Sequence, residues 1–136
     1  MVWVKTKQTF AENLAQMPET DDVISISLVE TSWQHQLKKI FGVAKPAPER
    51  ARITHETPDL LRLFYYLAST MGELNKNSAK RAYELLADQA LHAQQHPGQH
   101  AALAALVEVL STNQRFDMHL ELKKKDANAA KNEVIN

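Results

Sequence analysis

The chain has 136 residues, with 16 lysines and arginines balanced by 16 aspartates and glutamates, no cysteine, three glycines and five prolines. A hydrophobic fraction of 44% beside 24% charged residues describes one globular domain, able to bury roughly two-thirds of the surface its unfolded chain exposes. Zero net charge removes the global field that nucleic-acid binders and polybasic membrane proteins use, and the lack of cysteine excludes disulfides, thiolate nucleophiles and every Cys-bearing metal site.

Residues 1–10 lack the apolar core of a secretory signal, and no window nears the ~18 apolar residues that span a bilayer, so a cytoplasmic protein with no membrane partner is expected. Thr9-Phe10-Ala11-Glu12 fits a capping box and predicts a short helix over residues 10–17, stopped by Pro18. Ile24, Ile26 and Leu28 alternate with Ser25 and Ser27, which predicts a half-buried strand over Val23–Glu30. A second strand is expected over residues 34–43. Lys45-Pro46-Ala47-Pro48-Glu49 reads as a loop, because each proline removes an amide donor and biases its predecessor to extended geometry.

Thr57-Pro58-Asp59 combines an N-cap, a proline at the first helical position and an acidic first turn, predicting a helix that Gly72 ends. Leu60, Leu63, Phe64, Leu67 and Met71 form its apolar face, widened by Leu61 and Tyr65. A second helix is expected from Asn77 or Ser78 to His96, burying Ala79, Ala82, Tyr83, Leu86 and Ala90. A third, over residues 99–110, presents Leu103, Leu106, Val107 and Leu110. Phe116, Met118, Leu120 and Leu122 then alternate with Asp117, His119, Glu121 and Lys123 in the clearest strand of the chain. Residues 124–136 lack a sustained apolar pattern and are expected to form a mobile tail beyond a single domain of residues 1–123. The order of elements predicts an α+β fold, a small antiparallel sheet of two to three strands with three to four helices packed on one face. The natural partner of the final strand is Val23–Glu30.

Phe10-Ala11-Glu12-Asn13-Leu14 with Pro18, the strand over residues 24–29, Tyr65-Tyr66-Leu67-Ala68 with Gly72 and Asn75, His96-Pro97-Gly98-Gln99-His100, and the closing strand together resemble a small bacterial protein family of unknown function. The resemblance implies no substrate, cofactor or catalytic residue.

Lys80, Glu84, Asp88, His92 and His96 recur at i+4 spacing on the second predicted helix, where neighbours are close enough to share a metal ion. Each such step drifts about 40° around a helix, so only an adjacent pair converges. His92 and His96, joined by His100 from beyond the Pro97-Gly98 turn, give three imidazoles with an open position, the ligand set of a zinc-dependent hydrolase. The competing reading is a solvated polar face with Lys80/Glu84 and Asp88/His92 ion pairs and His96 at the negative end of the helix dipole. No zincin signature is present.

Lys38, Lys39, Lys45, Arg50 and Arg52 stand against one acid, Glu49, in a locally basic stretch near Trp33 and Phe41, a combination that suits stacking and phosphate contact with a single strand. There is no Gly-x-Ser-x-Gly elbow, and three glycines leave no phosphate-cradling loop. His119, beside Asp117 and Glu121, reads as a cross-strand surface residue. The leading expectation is a non-enzymatic binding or protein-interaction domain without a cofactor, self-associating through a sheet edge or through surface around Trp3 and Trp33. The alternatives are a metal-dependent hydrolase using His92, His96 and His100, and a nucleic-acid accessory protein using Lys38, Lys39, Arg50 and Arg52. Nucleic acid is not the expected partner.

Overall fold

A computed structural model describes residues 3–31 and 49–123. Within them the chain runs α1 (Phe10–Ala15), β1 (Val23–Glu30), β2 (Glu49–Thr54), α2 (Pro58–Met71), β3 (Glu73–Leu74), α3 (Lys76–Leu86), α4 (Ala90–Gln95), a 3-10 turn (Pro97–Gln99), α5 (Ala101–Thr112) and β4 (Phe116–Leu122). The strands form one antiparallel sheet in the order β2-β1-β4-β3, so β1 and the final strand pair as expected. No helix among the described residues is long and apolar enough to cross a membrane.

The α+β class holds, but among the described residues the sheet has four strands and there are five α-helices. One added strand is β2, where only Ala51 and Ile53 turn inward while Arg50 and Arg52 turn out, too short an apolar pattern to register in the sequence. The other is the two-residue β3, set by the Gly72 turn at φ 84° and by pairing with β4. The strand expected over residues 34–43, Trp33, Lys38, Lys39 and the expected tail at residues 124–136 lie outside the described residues.

The core lies on one face of the sheet. Ile26 sits between Ile53 and Leu120, and Leu28 between Ala51 and Met118. Leu61, Leu63, Phe64, Tyr66 and Leu67 of α2, and Leu103, Leu106 and Val109 of α5, are buried in the same core. The opposite face is polar: the Ser25 hydroxyl donates to Glu121 at 3.1 Å, and the Ser27 hydroxyl donates to Glu49 at 2.6 Å. The Ser27 hydroxyl and the neighbouring Arg52 guanidinium hold the Glu49 carboxyl below the usual carboxylate range.

Alternation along β1 breaks at its start. The pairing register with β4 shifts between Val23 and Ser25, which places Ile24 at a β-bulge. Val23, Ile26 and Leu28 are therefore buried, and Ile24, expected in the core row, is exposed.

The second expected helix is two. Asn75 and Ser78 cap α3 reciprocally, starting it earlier than its spacing suggests. At Ala87 the backbone enters positive φ (48°) and the helix ends. What holds this turn is tertiary: Thr9 and Ala87 form a β-bridge, and the Asp88 carboxylate accepts the Phe10 N–H at 2.9 Å. Asp88 thus answers the first amide of α1. Thr9 caps the same helix, its hydroxyl accepting the Glu12 N–H at 3.1 Å.

The segment before α1 is held by side chains that stand in for a neighbouring strand. Gln16 accepts the Lys5 N–H at 3.0 Å and donates to the Lys5 carbonyl at 2.7 Å. Asn13, fully buried, accepts the Lys7 N–H at 2.7 Å and donates to the Leu85 carbonyl at 2.8 Å, tying the segment to α3. The Tyr66 hydroxyl accepts the Val4 N–H at 2.9 Å, and Arg81 donates to the Val4 carbonyl and the Thr6 hydroxyl. Trp3 lies edge-on to Tyr66, with ring centroids 6.4 Å apart, and stays 61% exposed.

Replacing Asn13 by Ala strands the Leu85 carbonyl and the Lys7 amide together. Asn13→Ala is expected to lower unfolding free energy by about 2 to 3 kcal/mol, seen as a lower urea midpoint at unchanged slope. A midpoint equal to that of the natural chain would show that this amide is not a structural tie.

Candidate functional site

Among the described residues the strand ladder leaves one edge incompletely paired. β4 meets β1 along its length, but among the described residues the one strand on its other side is β3, paired at Phe116 and Asp117. Arg115 and Lys123, flanking β4, bond to β1's side: the Thr31 N–H donates to the Arg115 carbonyl at 3.0 Å, and the Lys123 N–H donates to the Asp22 carbonyl at 2.7 Å. By antiparallel alternation, His119 and Glu121 aim their backbone groups at β1, while Met118, Leu120 and Leu122 aim theirs away from it. The pairing of Glu73 with Asp117 brings Gly72 against Met118, and among the described residues no strand receives Leu120 and Leu122. The core-facing row of β4 is buried at Phe116 and Met118 but 37% exposed at Leu120 and 53% exposed at Leu122. The sequence pattern placed both leucines in the core; the described helices leave that end of the strand exposed.

The histidines are divided between tasks. The His92 and His96 rings lie together, centroids 4.5 Å apart, and His92 Nε2 faces Gln99 Oε1 at 3.3 Å. His100 instead caps α5: its Nδ1 accepts the Ala102 N–H at 2.9 Å, which assigns the ring proton to Nε2, 3.5 Å from the Thr57 hydroxyl. Burial pushes the His100 pKa below the ordinary imidazole value. Among the described residues no group of three His, Asp or Glu side chains is arranged to hold a metal ion. The i+4 row that suggested one is broken at Ala87, with Asp88 turned to Phe10 and Glu84 paired to Arg81 at 3.1 Å rather than to Lys80.

His92 stands on the rim of a cleft of about 150 Å³ with Asp59 and Gln89, over Leu60, Leu86 and Leu103. Small-molecule sites typically enclose roughly 300–1,000 Å³, so this cleft holds little beyond solvent or an ion.

Of the basic patch, the described members are both ion-paired. Arg50 pairs with Glu108 of α5 and Arg52 with Glu49 at 3.0 Å, so their charges are locally balanced. Glu108 lies 58 residues from Arg50 in sequence, and only the packing of α5 against β2 reveals it.

A sequence profile for a bacterial family, described as an uncharacterized protein conserved in bacteria (DUF2322), matches residues 10–120, from the first residue of α1 to Leu120. Comparison with curated proteins and with solved structures gave no match.

Two outcomes follow from the histidine geometry. The His100 cap requires a neutral Nδ1, so its stabilisation is complete above the unfolded imidazole value of about 6.5 and is lost as pH falls through the lower folded value. Melting temperature should therefore drop more steeply between about pH 7.5 and 5 in the natural chain than in His100→Asn, whose cap oxygen does not titrate there. Equal slopes would uncouple His100 from folding. With only two imidazoles adjacent, excess zinc should leave the melting temperature unchanged, whereas a rise abolished by His96→Ala would reveal a further ligand beside the pair.

Proposed function

The chain belongs to the DUF2322 family of bacterial proteins, and on that premise we propose that it is a non-catalytic binding domain, working in the cytoplasm, that engages its partner by strand addition at the open edge of β4. One observation carries this reading: beyond Met118, among the described residues, no strand pairs with β4 on its outer side, and the leucines of its core-facing row emerge there. Natural sheets cover, charge or interrupt such edges. The opposite edge follows that rule, since β2 displays Glu49, Arg50 and Arg52. β4 departs from it along its apolar row.

The polar groups support a binding role over a catalytic one. The Ser25 and Ser27 hydroxyls donate to carboxylates rather than to a histidine, and His100 is occupied by the α5 cap. Strand addition draws affinity from main-chain bonds and specificity from alternate side chains. An edge with outward backbone groups at Leu120 and Leu122 and exposed apolar side chains at the same positions offers both.

Amide hydrogen exchange tests the reading by its alternation. In dilute protein the Leu120 amide should exchange at nearly the rate of an unstructured peptide. Those of His119 and Glu121, which point at β1, should be slowed at least about a hundredfold. A Leu120 amide as protected as its neighbours in the dilute monomer would mean that the chain closes its own edge, and the reading would fall.

A further inference from the structure

We propose that α4 is a hinged flap, which leaves the core as a unit when Ala87 returns to helical backbone and α3 and α4 join into one helix over residues 76–95. The start of α1 is the latch that keeps it closed.

Strain marks the hinge. Ala87 holds φ 48° and ψ −108° at the first central position of a turn that the Gln89 N–H closes on the Leu86 carbonyl at 2.8 Å. Glycine is the usual occupant of such a position, because positive φ crowds a Cβ against the backbone. Here the segment Leu85-Leu86-Ala87-Asp88-Gln89-Ala90-Leu91 consists largely of strong helix formers and contains no glycine. Local preference therefore pulls toward a continuous helix, and the bend persists because groups outside it hold it.

Those groups come from α1 and its cap. Thr9 bridges Ala87, the Asp88 carboxylate accepts the Phe10 N–H at 2.9 Å, and the Asn13 amide donates to the Leu85 carbonyl at 2.8 Å. A continuous helix gives that same Leu85 carbonyl to the Gln89 N–H. Contacts within a single turn of chain thus compete directly with continuation of α3.

α4 itself is lightly held. Of its six residues Ala93 alone is buried, and Leu91, its largest apolar side chain, is 63% exposed. At its far end the 3-10 turn buries nothing, and the six-residue step from Gln95 to Ala101 reaches about 20 Å when extended, so α5 keeps its place and its His100 cap while α4 swings. The side-chain tie across that end is His92 Nε2 to Gln99 Oε1 at 3.3 Å. Opening carries Gln89, His92 and Ala93 off the cleft and leaves its floor of Leu60, Leu86 and Leu103 facing solvent. The flap governs access to this apolar floor, a role separate from strand addition at β4.

The absence of cysteine makes single reporters possible. Ala93→Cys places a thiol under the flap, and Ala105→Cys places one at a fully buried position of α5. With a water-soluble thiol reagent, Ala93→Cys should react at least about tenfold faster than Ala105→Cys, because local opening uncovers it without global unfolding. Adding Asp88→Ala should raise the Ala93→Cys rate about tenfold, whereas Asp88→Asn, which keeps an acceptor for the Phe10 N–H, should leave it unchanged. Adding Ala87→Gly should lower it about tenfold, since glycine takes the turn backbone freely and is a poor helix former. Each rate is read against Ala105→Cys in the same background, which removes any general loss of stability. Equal rates at the two sites, or an Ala87→Gly chain that opens as readily as the natural one, would overturn the proposal.

Spin labels on Lys80→Cys and Gln95→Cys, both exposed positions, report the joined helix itself. A continuous helix separates these positions by about 22 Å along its axis, and the turn at Ala87 brings them closer. Asp88→Ala should add a population at the longer distance, and Ala87→Gly in the same chain should remove it. A faster Ala93→Cys reaction with no such population would mean that α4 detaches by unraveling rather than by joining α3, and the hinge would fall with it.

Discussion

The pairing of β1 with β4 is the constraint on which the rest of the structure hangs. It joins Val23–Glu30 to Phe116–Leu122 across most of the chain. It continues past both strand ends, through the Thr31 amide to the Arg115 carbonyl and the Lys123 amide to the Asp22 carbonyl. β2 is carried on the free side of β1, β3 on the far side of β4, and α2 and α5 bury their apolar faces against the inner row that the central pair creates. Closing so long a loop costs entropy that grows only slowly with its length, and the buried row of Val23, Ile26, Leu28, Phe116 and Met118 offsets it.

A second layer of organisation comes from side chains that answer backbone groups outside regular ladders. Asn13 and Gln16 act as a substitute strand for Lys5 and Lys7. Arg62 donates to the carbonyls of Met17 and Pro18, where α1 has ended, and Asp88 receives the first amide of α1. Each relieves a polar group that the fold would otherwise bury without a partner, and among the described residues no buried side-chain polar atom lacks a hydrogen bond. The same logic accounts for His100: its ring is spent on a helix terminus, which separates it chemically from His92 and His96 despite their closeness in sequence.

The two ends of β4 differ in how far the core covers them. At Phe116 and Met118 its inner row is core; at Leu120 and Leu122 the described helices leave it exposed. The β1 bulge at Ile24 lies at this same end, where a bulge strengthens local twist and breaks the ladder's regularity. The sheet thus finishes in an apolar margin, flanked on its polar face by His119 and Glu121, and this margin is the surface on which the proposed binding role rests.

The sequence by itself determined the elements whose signals are local. The Thr9 cap, the Gly72 stop, the apolar alternation of the first and last strands and the α+β class all follow from interactions within a turn or a pair of residues. Only the tertiary structure decided the rest. Nothing in Leu85-Leu86-Ala87-Asp88 interrupts a helix locally, and the break exists because Thr9 and Phe10 supply partners from another part of the chain. Ile24, Leu120 and Leu122 carry the pattern of core residues, since periodicity reports which face a side chain takes and not whether anything covers it. The three histidines are close in sequence and could share a metal on spacing alone, but the Ala102 amide, which needs an acceptor once α5 begins, claims one of them. Local chemistry chose the elements, and the long-range pairing that buries one part of a strand and leaves another open chose the site.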